Sequence, residues 1–359
     1  MPASHQTVEL LRELTLAFGV AGHEAEVRSI LRKHLQEVAS IEQDRLGSIV
    51  FHRKGGPDRP RVMLPAHMDE IGFMVKLIDE KGFLRFAPLG GWFDQNILSQ
   101  RVVIRTAKGD VPGVVGCKPP HLIDPKERDK VIKIDEMFID IGARGIKEAQ
   151  RLGVRPGDPI MPLGEFTPMK GRDAVLAKAL DDRVGCAILV ETLRRLGSAK
   201  LPCSVYAVGT VQEELGLRGA RTSAHVVDPD VCVVVDVGIP GDTPGVKPEE
   251  ATGELGKGPA IHLSDGGMLP NLRLRDLVIE VAEKHNIPYQ LTLLQRGATD
   301  GGAIHLHSRG VPTVFIAVLT RYIHSHSGII NLADLDTAVR LLLALLPRLD
   351  QRTVESLTA

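Results

Sequence analysis

In Arg61-Val62-Met63-Leu64-Pro65-Ala66-His67-Met68-Asp69-Glu70, an apolar run gives way to an imidazole and, two and three residues after it, to two carboxylates. A run as short and continuously apolar as 61–65 predicts a strand buried on both faces. The pattern recurs three times. Residues 203–210 lead into Gln212-Glu213-Glu214, 231–235 into Asp236, and 312–319 into Thr320-Arg321-Tyr322-Ile323-His324. Residues 48–52 and 289–294 are further strand-like runs, while 183–196, 271–285 and 333–349 have the character of helices. Two more helices open the chain, with Leu10, Leu11, Leu14, Ala17 and Phe18, then Val27, Ile30, Leu31 and Leu35, at helical spacing. Strands of this kind alternating with amphipathic helices predict a mixed-sheet α/β sandwich.

Residues 71–165 read differently. Short alternating runs at 82–87, 101–106 and 111–115 are separated by glycine and proline, which predicts a small β-barrel. Helical sequence resumes only after Met169. The barrel is therefore expected as an insertion dividing the α/β domain into 1–70 and 166–359, an organisation suited to 359 residues when one domain usually takes about 100 to 200.

Composition excludes several classes of function. Lysine and arginine number 44 against 45 aspartates and glutamates, a net charge of -1 that gives no electrostatic reason to expect nucleic acid or an acidic membrane surface. The longest apolar runs, such as 311–319, fall well short of the ~18 residues of a spanning helix. Glu9, Arg12 and Glu13 interrupt the leucines of the N-terminal segment, unlike a signal peptide, and predict a cytoplasmic protein. Cys117, Cys186, Cys203 and Cys232 form no Cys-x-x-Cys pair and have mostly apolar neighbours, which predicts buried free thiols.

The chemistry is expected past the strand ends, because ligands of open α/β sheets bind in the crevice outside the carboxyl ends of the strands. Asp181-Asp182, just before a helix, adds a further polar pair. Taken singly, each motif has a plainer reading: a surface His-x-Asp, an N-cap doublet, a solvated Glu-Glu turn, a loop-capping Asp236. His324 also has neighbours of the same type in His305, His307 and His326. Together they suit a metal centre. Two divalent cations would be neutralised by Asp181, Glu214, Asp236 and a hydroxide, with two neutral imidazoles completing the set. Mixed imidazole and carboxylate ligation favours zinc, with cobalt or manganese as alternatives. Glu213 or Asp69 is then left over as base or supporting carboxylate.

At these residues the chain closely resembles the TET-type metalloaminopeptidases, the glutamyl aminopeptidase/cellulase M-like family of dinuclear zinc peptidases. The resemblance runs nearly end to end, through Ala66-His67-Met68-Asp69-Glu70-Ile71-Gly72, Lys118-Pro119-Pro120-His121-Leu122, Ala179-Leu180-Asp181-Asp182-Arg183, Gln212-Glu213-Glu214-Leu215-Gly216, Gly297-Ala298-Thr299-Asp300 and Arg321-Tyr322-Ile323-His324-Ser325. It implies that Asp181 bridges two metals, with His67 and Asp236 on one and Glu214 and His324 on the other. Glu213 becomes the general base and Asp69 the carboxylate that orients His67. It also implies a cis Asp181-Asp182 peptide, and a dimerisation and assembly role for 71–165, up to a dodecamer. Asp300, Arg321 and His326 are candidate substrate-binding residues.

The chain departs from the family where His324-Ser325 continues into His326-Ser327-Gly328 instead of proline and an acidic residue. His326 is thus an alternative ligand or an added pocket residue, His324 keeping the motif position. The expected activity is removal of N-terminal residues from short peptides with a free amine. Three rival readings stand beside it. A related two-metal carboxypeptidase or deacylase would want a basic group for the substrate carboxylate. A glycoside hydrolase needs two carboxylates flanking a sugar and no metal pair, and a single tryptophan, Trp92, offers little platform for a polysaccharide. A non-catalytic peptide-binding protein would be expected to lack some of these groups.

Overall fold

Eight strands form one sheet in the order Ser40–Gln43, Ile49–Arg53, Ser204–Thr210, Arg61–His67, Val231–Gly238, Thr313–Leu319, Ala260–His262 and Gln290–Thr292. The computed structural model describes residues 4–53, 57–127, 129–170, 173–294 and 296–358; Met1 and Ala359, the outer limits of the expected domains, lie outside them. The four central strands are mutually parallel. Ile49–Arg53 and Ala260–His262 join them antiparallel on either side, making the sheet mixed, as expected.

Both faces are covered. Val62, Leu64 and Ala66 face a core shared with the helices Leu180–Leu196 and Leu332–Leu345, while Met63 faces a second core under the helix Arg218–Val227. Alternate residues of one strand thus enter different cores, which explains why its sequence shows no polar alternation. The expected strands lie within a few residues of the observed ones. The helix Arg218–Val227, the edge strand Ser40–Gln43 and the short strand Ala260–His262 lacked a distinct sequence signal. The expected helix over 333–349 ends at Leu345 and continues as a 3-10 turn, Leu346–Arg348, that contains Pro347. Cys186, Cys203 and Cys232 are buried; Cys117 is only half-buried, in the inserted region, and all four are free.

The parallel strands finish along one edge of the sheet, with His67 opposite Thr210 and Gly238 opposite Leu319. Arg61–His67 and Val231–Gly238 pair at Val62–Val231 and Met63–Cys232, and the ladder stops short of Pro65, which has no N–H to give one. A crevice therefore opens between the ends of these strands.

Directly after Glu70 and Ile71 the chain enters a closed barrel of Gly72–Ile78, Leu84–Leu89, Phe138–Asp140, Gly109–Gly116, Arg101–Thr106 and Pro159–Pro162, in that spatial order. Phe73, Val75, Leu84, Ile104, Val115, Ile139 and Ile160 fill it. A three-stranded sheet then pairs Ala174–Ala177 with both Thr167–Pro168 and Gly328–Asn331, joining the chain leaving the barrel to the segment just past His324. No helix among the described residues is long and apolar enough to cross a membrane.

Candidate metal centre

His67 ends a central strand and is 2% exposed. Its Nδ1 lies 3.0 Å from the main-chain oxygen of Asp69 and must donate to it, because a carbonyl only accepts. Nε2 then faces carboxylates, 2.9 Å from Asp181 Oδ1 and 3.9 Å from Asp236 Oδ1. His324 repeats the arrangement. Its Nδ1 donates to the Gly91 carbonyl at 2.8 Å, and its Nε2 lies 3.4 Å from Glu214 Oε1 and 3.6 Å from Asp181 Oδ2. Asp181 stands between the two rings, presenting one oxygen to each.

Two neutral imidazoles with Nδ1–H committed to carbonyls would turn bare Nε2 lone pairs toward carboxylate oxygens. Such a juxtaposition calls for a proton or a cation between them. Among the described residues, three sets of side chains bring their ligand atoms within 4.8 Å of one another: His67, Asp182 and Asp236; His67, Glu213 and Glu214; Asp181, Glu214 and His324. The donor set therefore fits divalent transition metals.

The electrostatics agree. Burial raises the carboxyls of Asp236, Glu214 and Glu213 well above the carboxylate range, and neighbouring carboxylates push the same way. Burial would likewise raise Asp181, but its bond to His67 and the nearby His324 bring it below its ordinary value. Burial alone would lower His67; the bond to Asp181, the Asp69 contact and the charges of Glu213 and Asp236 hold it well above. So many acidic groups in one buried place repel one another unless positive charge is supplied.

Local backbone explains how the groups are aimed. Ala179, Gln212, Tyr322 and His324 all adopt a positive φ, an uncommon state for residues with a side chain that clusters where loops are forced into a functional shape. The Asp181-Asp182 peptide is cis, and neither residue has helical dihedrals. Asp182 caps the regular helix by accepting from Gly185 N at 2.9 Å, and also accepts from His67 N at 3.2 Å. The N-cap reading of the doublet thus describes Asp182, which lies against the site as well.

Asp69 is fully buried, and its carboxylate accepts from the main-chain N–H groups of Glu213 at 2.9 Å and Glu214 at 3.1 Å. Its Oδ1 is 3.6 Å from His67 Nδ1, so the side chain orients the glutamate turn more closely than it does the imidazole. Asp300 lies beneath the strand ends, bonded by the Thr210 hydroxyl, and burial pushes its pKa up to about 6. Arg321 turns to Asp242 in a two-pronged pair of 2.8 and 2.6 Å. It lines a separate pocket with Met169 and Leu255, whereas the cleft over the metal centre is lined by Glu70, Ile71, Leu180, Tyr322 and Ile323 among others.

His326 is buried against Trp92, ring centroids 5.3 Å apart, and takes no part in the three ligand sets. His305 bonds to the Gly301 carbonyl, and His307 lies by Asp228. Two residues without an individual sequence signal support the site from below. Lys178 donates to both oxygens of Glu70 at 2.8 and 2.9 Å, and Arg183 reaches the same carboxylate at 3.3 Å while donating to the Leu14 and Gly19 carbonyls.

The model of the M42 glutamyl aminopeptidase family matches residues 47–341. A TET aminopeptidase from a marine sediment Thaumarchaeota archaeon is 46% identical, with a TM-score of 0.96 covering 98% of this chain and 99% of that one. The lysyl aminopeptidase of Pyrococcus furiosus is 36% identical over 95% of this chain and 97% of its own length. The Pyrococcus horikoshii TET1 peptidase, which can assemble into a tetrahedron or a large octahedral shell, is 31% identical with a TM-score of 0.86, over 95% of this chain and 99% of that one.

Proposed function

The chain belongs to the M42 glutamyl aminopeptidase family, and from that premise we propose that it removes N-terminal residues from short peptides by two-metal chemistry with Glu213 as general base. Aminopeptidase activity of the metallopeptidase class comes with the family. The two ions and the residue roles are the proposal, and one observation carries it: two imidazoles, each with Nδ1 bound to a carbonyl, aim Nε2 at opposite oxygens of Asp181.

His67 and Asp236 would hold one ion, Glu214 and His324 the other, and Asp181 both; zinc suits the set, with cobalt or manganese as alternatives. Such ions, when bound, lower the pKa of water toward ~7 and polarise the scissile carbonyl. Glu213, fixed through its N–H by Asp69 and pushed upward in pKa by burial, takes the proton of the attacking water and returns it to the leaving amine. The surrounding carboxylates provide a negative field for the substrate's free ammonium group. Glu70, which lines the same cleft, is paired with Lys178 and Arg183.

Arg321, the basic group nearest in sequence to His324, is held by Asp242, which leaves a substrate carboxylate without this partner and disfavours the carboxypeptidase reading. We assign residues 71–165 to self-association, toward a dodecamer like the assemblies of the TET relatives, and the cytoplasm as the place of action. Light scattering tests the assembly: a particle far larger than 39.0 kDa is expected, and a fully active monomer would refute it.

The function itself is tested by elemental analysis combined with peptide hydrolysis. Two transition-metal ions per chain are expected, with activity lost on chelation and restored on reloading. Free-amine peptides should be shortened stepwise while N-acetylated ones resist. One ion per fully active chain, or equal cleavage of acetylated peptides, would refute the reading.

A further inference from the structure

The partner of His324 Nδ1 belongs to the inserted barrel. Leu84–Leu89 is a barrel strand, and the loop that follows, Gly90-Gly91-Trp92, brings the Gly91 carbonyl to 2.8 Å from the ring. The approach is made through two glycines. A Cβ on Gly91 would lie 3.1 Å from His324 Nδ1 and 3.4 Å from Cε1. One on Gly90, whose φ is +87°, would lie 2.5 Å from Ile71 Cγ2 and 3.2 Å from Glu214 Oε2. The loop thus lies against two proposed ligands of the same ion, so closely that a side chain at Gly90 would clash and one at Gly91 would push the His324 ring aside by a few tenths of an ångström.

Trp92 fixes the loop in place. Its indole stacks on Phe73 at 4.6 Å and donates from Nε1 to the Gly72 carbonyl at 2.9 Å, both on the barrel strand that begins just past the metal centre. Its ring also meets His326, two residues beyond His324. The same two loops therefore touch twice, at Gly91–His324 and at Trp92–His326. His324 itself is 40% exposed and has no buried strand to hold it.

We infer that Gly90-Gly91-Trp92 of the barrel is the positioning element for the Glu214–His324 ion: the Gly91 carbonyl fixes the His324 tautomer, and the bare glycine backbone sets the separation of His324 and Glu214. The inserted region then tunes one ion and leaves the other, held by His67 and Asp236, to the sheet. This inference rests on the two-ion reading. Carbonyls that hold the second nitrogen of a ligating imidazole fix its tautomer and orientation.

The test is a titration of the metal-stripped full chain with Co²⁺, reading both dissociation constants by chelator competition, together with the melting temperature of the metal-free protein. Wild type is compared with Gly91→Ala, Gly91→Val, His324→Ala and the Gly91→Val/His324→Ala double variant. The weaker constant should rise about 10-fold in Gly91→Ala and toward about 100-fold in Gly91→Val, with the tighter one moving less than about twofold. The double variant should bind no more weakly than His324→Ala alone, because both changes remove one interaction. Equal weakening of both ions, additive losses, or an unchanged weaker constant would each overturn the inference. Should Gly91→Val not fold, Trp92→Phe keeps the stack on Phe73 but loses the bond to Gly72, and it must weaken the same ion selectively. A wild-type chain that takes up one ion refutes the two-ion reading and this inference with it, before any variant is compared.

Discussion

The two imidazoles of the centre are held by different kinds of structure. His67 stands at the end of a central strand, 2% exposed, with its Nδ1 bonded to the backbone two residues on. His324 sits on a left-handed loop residue, 40% exposed, and its Nδ1 is held by a loop 233 residues away in sequence. The His67 half is built by the sheet, whose strands are fixed by burial on both faces. The other half joins Glu214, whose N–H is held by Asp69, to a histidine fixed where two loops meet. Under the two-ion reading proposed above, one ion would lie in a rigid frame while the second would respond to the inserted barrel.

The largest effect expected separates the chemistry from both halves. Glu213→Gln should lower kcat by about 10²- to 10⁴-fold while metal content stays unchanged, since it removes a base but no proposed ligand. Metal analysis and single-turnover rates on the same preparation check this, and loss of an ion in that variant would move Glu213 into the ligand set.

Next comes the support beneath the rigid half. Lys178→Met leaves the buried Glu70 carboxylate with Arg183 as its only remaining cationic partner among the described residues. Breaking a buried ion pair usually costs about 3 to 5 kcal/mol, and the remaining arginine places the expected loss near the lower end, about 3 kcal/mol. Denaturant unfolding of the metal-free protein measures it; a change below about 1 kcal/mol, the range of exposed pairs, would show that Lys178 is not part of the frame.

The comparison itself is tested by Glu214→Gln against Asp236→Asn. Each removes one proposed ligand charge, but Glu214 belongs to the loop-held half. Glu214→Gln should lose one ion, with affinity about 10- to 100-fold weaker, and regain part of its activity in excess metal. Asp236→Asn should weaken the other ion, leaving His67 and Asp181 in place. Indistinguishable metal-binding curves for the two variants would mean that the halves do not bind independently.

The smallest effect is expected at Arg321. Its pair with Asp242 is partly exposed and lies away from the cleft, so Arg321→Ala should cost less than about 1 kcal/mol of stability and leave kcat/KM nearly unchanged. A large loss of kcat/KM with free-amine peptides would instead restore it as a substrate contact.

Much of this molecule is legible in its amino-acid sequence alone. Residues 61–70 show an apolar strand ending in metal-type residues, and three other strands end the same way, because burial on both faces imprints a continuous apolar run and its end must turn polar on reaching the crevice. The barrel is legible from its short alternating runs and glycines. The doublet Asp181-Asp182 could be placed at a helix start, and the family resemblance assigned the bridging position to Asp181, but spacing alone could not tell which carboxylate caps the helix.

Those choices are tertiary. That Asp69 holds the N–H groups of the glutamate turn, that Lys178 neutralises Glu70, that Arg321 pairs with Asp242 and that Gly91 meets His324 all depend on contacts between segments far apart in the chain. Periodicity records which face of an element is buried, since that is repeated at every second or third residue. The direction of a single loop side chain is set once, by whichever distant group satisfies its hydrogen bond or charge, and it leaves no repeating trace in the sequence.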